Sequence, residues 1–496
     1  MASRFWFLSG LIAVCSGLFV LQTPAKAATP NIYRGTYVHL FEWKWNDIAL
    51  ECENFLGPKG FGAVQISPPN DHAVLEGQPW YQRYQPVSYK IISRSGTREE
   101  LIDMIRRCKA VGVDIYADAV INHMAWVNRS GKTKYGISGS SYDEYKHPGL
   151  FEPWDFHRCG RQVPGQPLDN ISNYQDRWEV QNCNIDRCAD LDTGSEYVRG
   201  KLVNYLNDLL DLGIAGFRID AAKHIPSEHL QAILSGINRP AYVFQEVMDP
   251  RSEPIKSHEY FSTGDVTEFE YTRGLARMFY NGKLTWLSSF GEGWAFIDKN
   301  KAVVFVDNHD KQRGHAGGGE VITHKDPETY VLANVFMLAW PYGYPQVMSS
   351  YRFDSGKQGP PAYQDGETKP VWVDGVPKCG EEWVCEHRWE PIANMVEFRN
   401  ITALETNVTN WWSNGENQIA FGRGSKGFVV INREWNWLNR KLQTSMPEGR
   451  YCDVISGSFK KGKCIGRTVS VNKYGETEIS VAPQRALAIH AGAKLN

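Results

Sequence analysis

Three apolar runs in this chain end in acidic residues, and that repetition constrains the fold more than any other feature. Ile214–Ile219 is followed by Asp220, Tyr242–Gln245 by Glu246, and Val303–Val306 by Asp307-Asn308-His309-Asp310. In an extended strand alternate side chains point to opposite faces. Phe217 and Ile219 therefore share one face of the first run, and Arg218 and Asp220 share the other. Burying charge is unfavourable unless it is compensated, so a single R-x-D pair is most simply a structural ion pair. Acids at the ends of three such strands carry a stronger implication. If the strands run parallel, their C-terminal ends lie together and the acids assemble one site.

The rest of the chain supplies the parallel partners. Strand-like runs cover Gly35–Phe41, Ala63–Ser67 (stopped by Pro68-Pro69) and Asp114–Asn122 before the first acidic run. Val266–Phe269 and Tyr344–Met348 complete a set of eight with the runs ending at Val247 and Asp307. Helical stretches lie between them, including Asn46–Phe55, Glu196–Leu212 and one opening at Thr97, where Glu100 three residues on forms a capping box. Eight strands alternating with helices predict an α/β protein built on a (β/α)8 TIM barrel. From His123 to Asp190 the rhythm is lost and Gly, Ser, Asn, Asp and Pro dominate. A segment this long is an inserted irregular domain rather than a connection. Beyond residue 405, short runs at Ile419–Phe421, Gly427–Ile431 and Leu487–His490 predict a C-terminal antiparallel β-sandwich. The expected division is a barrel over 28–121 and 191–404, an inserted domain over 122–190 and a β domain over 405–496.

Residues 1–27 read as a secretory signal: Arg4, then mostly apolar Phe5–Leu21, then Ala25-Lys26-Ala27 as a small-residue cleavage site. The expected location is extracellular, in a digestive fluid. A formal net charge of −2 gives no basic surface for nucleic acid or for anionic membrane. Seventeen Trp and 23 Tyr exceed what a core of this size needs, so some are expected to stack on flat amphipathic ligands such as sugar rings. Of ten cysteines, removal of Cys15 with the signal leaves nine, so at least one thiol lacks an internal partner. Asn128, Asn170, Asn400 and Asn407 begin N-x-S/T sequons.

Four segments, Asp118–His123, Gly216–His224, Gln245–Val247 and Phe305–Gly314, in this order, spacing and strand context, resemble the animal-type α-amylases of the α-amylase glycoside hydrolase family. The resemblance spans essentially the whole chain after the signal, and Cys379–Cys385 with Glu386-His387-Arg388-Trp389 points to the animal-type branch. It implies a retaining, endo-acting hydrolase of α-1,4-glucosidic bonds in starch, glycogen and maltooligosaccharides. Such chemistry uses a nucleophilic carboxylate and a protonated acid about 5 Å apart. The resemblance assigns Asp220 as nucleophile, kept ionised by Arg218, and Glu246 as acid/base, protonated by virtue of its apolar strand. Asp310 becomes the third carboxylate. The same resemblance implies sugar contacts from Trp80, Tyr81, Tyr84, Gln85, His123, Tyr174, Lys223, His224, His309 and His315, the last in a glycine-rich loop Gly314–Gly319.

By the same resemblance one Ca2+ pins the inserted domain to the barrel, held by the Asn122 side chain, the Asp190 carboxylate and backbone carbonyls of His224 and Gln181, all oxygen donors suited to a hard cation. Many relatives also bind chloride between two basic residues and an asparagine. Arg218 and Asn308 match two of these positions, but Gln346 stands at the second basic one, so chloride is not expected to be required. The implied disulfides are Cys52–Cys108, Cys159–Cys183, Cys379–Cys385 and Cys452–Cys464. They leave Cys188 as a free thiol near the cleft, either modifiable or buried and inert. A monomer is expected. The same acids would serve an α-glucosidase or transglycosylase. A carbohydrate-binding protein without activity would be expected to lack one of them, and none is missing.

Overall fold

The computed structural model describes residues 29–30, 35–126, 133–163, 165, 168–315 and 317–495; the predicted signal and the Asn128 sequon lie outside them. Eight parallel strands close into a barrel in sequence order: β1 (Tyr37–Leu40), β2 (Ala63–Ile66), β3 (Asp114–Ala119), β4 (Gly216–Ile219), β5 (Tyr242–Gln245), β6 (Asp265–Thr267), β7 (Ala302–Phe305) and β8 (Tyr344–Ser349). All but β8 are shorter than the sequence suggests, and two of the differences bear on the connections. β3 stops at Ala119, so Val120 to Asn122 belong to the loop carrying the insertion, and Phe269 opens a helix instead of ending β6.

The period of two sorts the barrel interior into layers. At the N-terminal end Tyr37, Tyr116, Tyr242, Phe244 and Tyr344 pack ring against ring. Gly216 makes room for this cluster, since a Cβ there would stand 2.5 Å from the Tyr242 carbonyl and 2.8 Å from the Tyr116 ring. Two residues further along the same faces the layer is polar and still buried: His39, Gln65, Asp118, Arg218 and Gln346. The strand register sets Arg218 beside Asp118 and Tyr37 beside Gln346.

Helices form where predicted. Thr97 caps Arg98–Ala110 with the reciprocal Glu100 contact, and Glu196–Leu212 ends on left-handed Gly213 at φ 106°. The inserted segment is closed at its base by an antiparallel ladder, His123–Trp126 against Cys188–Asp190. The C-terminal region is antiparallel throughout; its largest sheet orders Thr409–Ser413, Gln418–Arg423, Gly427–Asn432 and Arg485–His490. All four implied disulfides are formed, and Cys188 is free and buried. Burial pushes its thiol well up, away from the reactive thiolate, which favours the inert of the two readings. Asn407 is exposed, whereas the half-buried Asn400 side chain accepts from Gly35 N–H at 2.9 Å and donates to the Gly60 carbonyl at 2.8 Å.

Candidate active site

At the C-terminal end of the barrel one guanidinium meets three carboxylates. Arg218 Nη1 donates to Asp118 Oδ1 at 2.6 Å and to Asp220 Oδ1 at 2.8 Å, and Nη2 lies 2.7 Å from Glu246 Oε1 in an ion pair poorly aligned for a hydrogen bond. Glu246 Oε2 also accepts from the Ala221 N–H at 3.0 Å, and Ala221 holds a left-handed φ of 49° directly after Asp220. A non-glycine residue in that region stores strain that the surroundings must hold.

This geometry adds to two expectations. Arg218 does pull Asp220 toward its ionised form, but it does not outweigh burial. Burial pushes Asp220 up to about 6 against the opposing pull of Arg218, with Glu246 adding to the rise. The reason is the sharing: one positive charge faces three acids. Glu246, expected to be protonated by virtue of its apolar strand, meets a guanidinium and a backbone N–H.

Asp118 lies within the first of the four family-like segments, yet sequence reasoning gave it no role. It accepts from Arg218 and from the Tyr84 hydroxyl at 2.9 Å, and burial pushes it up to about 7. Its signal was present in the alternation of β3, but only the pairing of β3 with β4 sets it beside Arg218. Asp310 is half-buried, and desolvation followed by the Glu246 charge raises it well above the usual range. His309 Nε2 lies 3.4 Å from the Asp310 carboxylate.

The expected sugar contacts converge on the same mouth. His309 stacks on Tyr84 (centroids 5.2 Å, 7°), and Trp80 stands edge-on to Tyr84, Tyr81, His309 and His315. His123 contacts the Tyr84 carbonyl through Nε2 at 3.0 Å, and burial lowers it to about 4, so its ring is neutral. Gln85 is buried and accepts from Trp126 N–H at 3.4 Å. Lys223 pairs with Glu253 and donates to the Met248 carbonyl at 2.8 Å, while half-exposed Tyr174 lies beside Lys223 and His224.

The four expected calcium ligands fall into two contacting pairs. Asn122 donates to Asp190 Oδ1 at 3.2 Å, and His224 Nδ1 lies 2.9 Å from the Val180 carbonyl, which brings the helix carrying Gln181 against the Ala222–His224 turn. Among the described residues no cluster of three or more His, Cys, Asp or Glu is arranged for a metal. One carboxylate, one amide and two carbonyls are nevertheless an all-oxygen set that fits a hard cation. His157, which carried no sequence signal, contacts Asp190 Oδ2 at 2.7 Å.

At the expected chloride position, Asn308 Oδ1 accepts from Lys311 N–H at 2.8 Å and Gln346 Oε1 from the Tyr37 hydroxyl at 2.9 Å. Gln346 Nε2 is buried without a partner among the described residues.

Family models match at both ends of this architecture: the α-amylase catalytic domain over residues 60–262 and the α-amylase C-terminal all-beta domain over 411–492. Barrel, acid cluster and catalytic-domain match together make this a barrel glycoside hydrolase. The chain is 46% identical to an α-amylase of Pecten maximus over 98% of both chains, and 45% identical to human α-amylase 1B over 93% of this chain and 95% of that one. It also superposes on α-amylase I of Eisenia fetida, solved as a mutant with maltohexaose, with a TM-score of 0.88 at 38% identity, covering 95% of this chain and 99% of that one. The chain belongs to the animal α-amylase family and is an α-amylase, a hydrolase of starch.

Proposed function

We propose that this α-amylase cleaves internal α-1,4 bonds with retention, through a glycosyl-enzyme on Asp220 and with Glu246 as acid/base. The observation that carries this reading is the single guanidinium of Arg218 gripping both carboxylates, 2.8 Å from one and 2.7 Å from the other. Two carboxylates on different nitrogens of one guanidinium are close, as retention with its roughly 5 Å separation requires and inversion does not. Asp220 attacks the anomeric carbon as Glu246 protonates the leaving oxygen; Glu246 then takes a proton from the water that releases the sugar. Asp310, with His309 and neutral His123, holds sugar hydroxyls, and Trp80, Tyr81 and Tyr84 offer ring faces and edges to the chain on either side. The test is a maltooligosaccharide blocked at its non-reducing end: release of short mixed products from its interior supports endo-action, and resistance to cleavage overturns it in favour of an α-glucosidase.

Asp220 must be ionised to attack, so kcat/KM should fall as pH drops through about 6, the value to which burial raises it. Below that point the loss approaches about tenfold per pH unit. A profile measured at fixed ionic strength that stays flat well below this value would show that burial does not hold Asp220 this high.

Asn122, Asp190 and the carbonyls of Gln181 and His224 would hold one Ca2+, which when bound fixes the inserted domain against the barrel. We place the protein outside the cell, where four disulfides persist. One relative is a rat pancreatic α-amylase, and no helix among the described residues is long and apolar enough to cross a membrane. We also take it to act as a monomer.

Chloride is not required in this reading. A second basic residue beside Arg218 would add positive field, which an anion offsets; Gln346 is neutral and its oxygen is already engaged by Tyr37. Replacing a charged donor by an amide removes a contact worth roughly 1.5–3 kcal/mol to an anion. Turnover of exhaustively dialysed enzyme should therefore be unchanged by added chloride. Saturable activation of several-fold would show that the amide and Arg218 suffice to bind a functional anion.

A further inference from the structure

Arg313 is a buried cation whose neighbours are aromatic rings. Its guanidinium carbon lies 4.3 Å from the centre of the Phe353 ring, 4.9 Å from those of Phe41 and Tyr351, and 5.8 Å from Trp80. No carboxylate is in ion-pair contact with it among the described residues, and Nε and Nη2 find no well-aligned acceptor there. Burying a guanidinium this way is unfavourable, and ring faces return only part of what water provided. A methionine would fill the same cage at lower cost. An arginine adds reach: Nη1 donates to the His309 carbonyl at 2.9 Å, fixing the peptide that leads into Asp310. The Arg313 N–H also closes on the Asp310 carbonyl at 3.0 Å. On its other side the Arg313 carbonyl packs against Gly356, where a Cβ would stand 2.8 Å away, and the Gly356 carbonyl accepts from Trp80 Nε1 at 2.8 Å.

We propose that Arg313 is a positioning residue for the hydrolysis: it locks the backbone of Asp310 and the indole of Trp80 into one register. The third carboxylate and a stacked sugar ring then meet in reactive alignment. The inference rests on the reading of Asp310 as the third carboxylate, so Asp310→Asn is measured beside it. The peptide that Arg313 holds carries a group needed most in the transition state, so its loss should appear mainly in kcat.

The test measures kcat and KM of Arg313→Met and Arg313→Lys on a soluble maltooligosaccharide, with the fold checked by near-ultraviolet circular dichroism. Arg313→Met should be folded, with kcat lower by on the order of 10- to 100-fold and KM changed by less than about threefold. Arg313→Lys should not restore kcat, because an ammonium cannot lie flat among the rings and still reach the His309 carbonyl. In Arg313→Ala, added methylguanidinium should recover kcat in a saturable way. An inactive Asp310→Asn beside an Arg313→Met with near wild-type kcat overturns the positioning role alone; an active Asp310→Asn overturns the assignment beneath it. Should Arg313→Met fail to fold, methylguanidinium that restores the fold of Arg313→Ala without restoring kcat also overturns the role.

Discussion

Asp220→Asn and Glu246→Gln should each leave a folded protein whose turnover of starch is lower by on the order of a thousandfold or more. Each removes one half of a two-carboxylate mechanism while keeping the local contacts. In Asp220→Asn the amide oxygen still accepts from Arg218, in place of the 2.8 Å bond. In Glu246→Gln the amide oxygen still accepts from the Ala221 N–H, in place of the 3.0 Å bond. Stability should move the other way. A carboxyl held at about 6 in the fold is ionised at neutral pH against the preference of its surroundings. Relative to an unfolded value near 4, that opposes folding by on the order of 3 kcal/mol above pH 6, an effect lost as pH falls from about 6 to about 4. Asp220→Asn removes the ionisation, so its Tm at neutral pH should equal or exceed that of the wild type. Active sites commonly hold such unfavourable charge for the sake of activity. Calorimetry and a starch assay on the same preparations check both signs. If either variant keeps a tenth of the wild-type turnover, its assigned role is wrong.

The second large effect is expected from calcium. The Asn122–Asp190 contact closes the base of the inserted domain and the Val180–His224 bond joins that domain to the barrel, and a cation bridging the two would stabilise only the folded arrangement. Binding at a hundredfold excess over Kd contributes about 2.7 kcal/mol by linkage. Exhaustive chelation should lower Tm by several degrees, with turnover falling in step as the inserted domain loosens around Tyr174 and His123. Returning one equivalent of Ca2+ should restore both. Asp190→Asn removes the only carboxylate of the set and should weaken calcium binding, measured directly by calorimetric titration, without touching Asp220 or Glu246. An unchanged Tm after chelation would falsify the calcium site.

Much of this is legible in the sequence. Eight strands, the capped helix at Thr97 and the acids at three strand ends all follow from short-range patterns. A period of two shows itself within a single short strand, and a cap within one helical turn, so local chemistry is enough to reveal them. The alternation of Arg218 and Asp220 even gave the correct face of β4. Roles and ligand sets came from resemblance to a family and not from periodicity.

What the chain determined by itself was therefore the order of its elements and the end of the barrel at which its acids gather. Tertiary structure alone decided how the charges are shared. Arg218 answers to Asp118, Asp220 and Glu246 together, from three different strands, and that sharing, not an exclusive pair, lets burial raise Asp220. The cage around Arg313 draws on positions 41, 80, 351 and 353, and Cys188 is buried where a ladder pairs it with Trp126. None of these has a sequence period. The energy of a buried charge depends on every group within a few ångströms of it, and those neighbours are chosen by how distant segments pack.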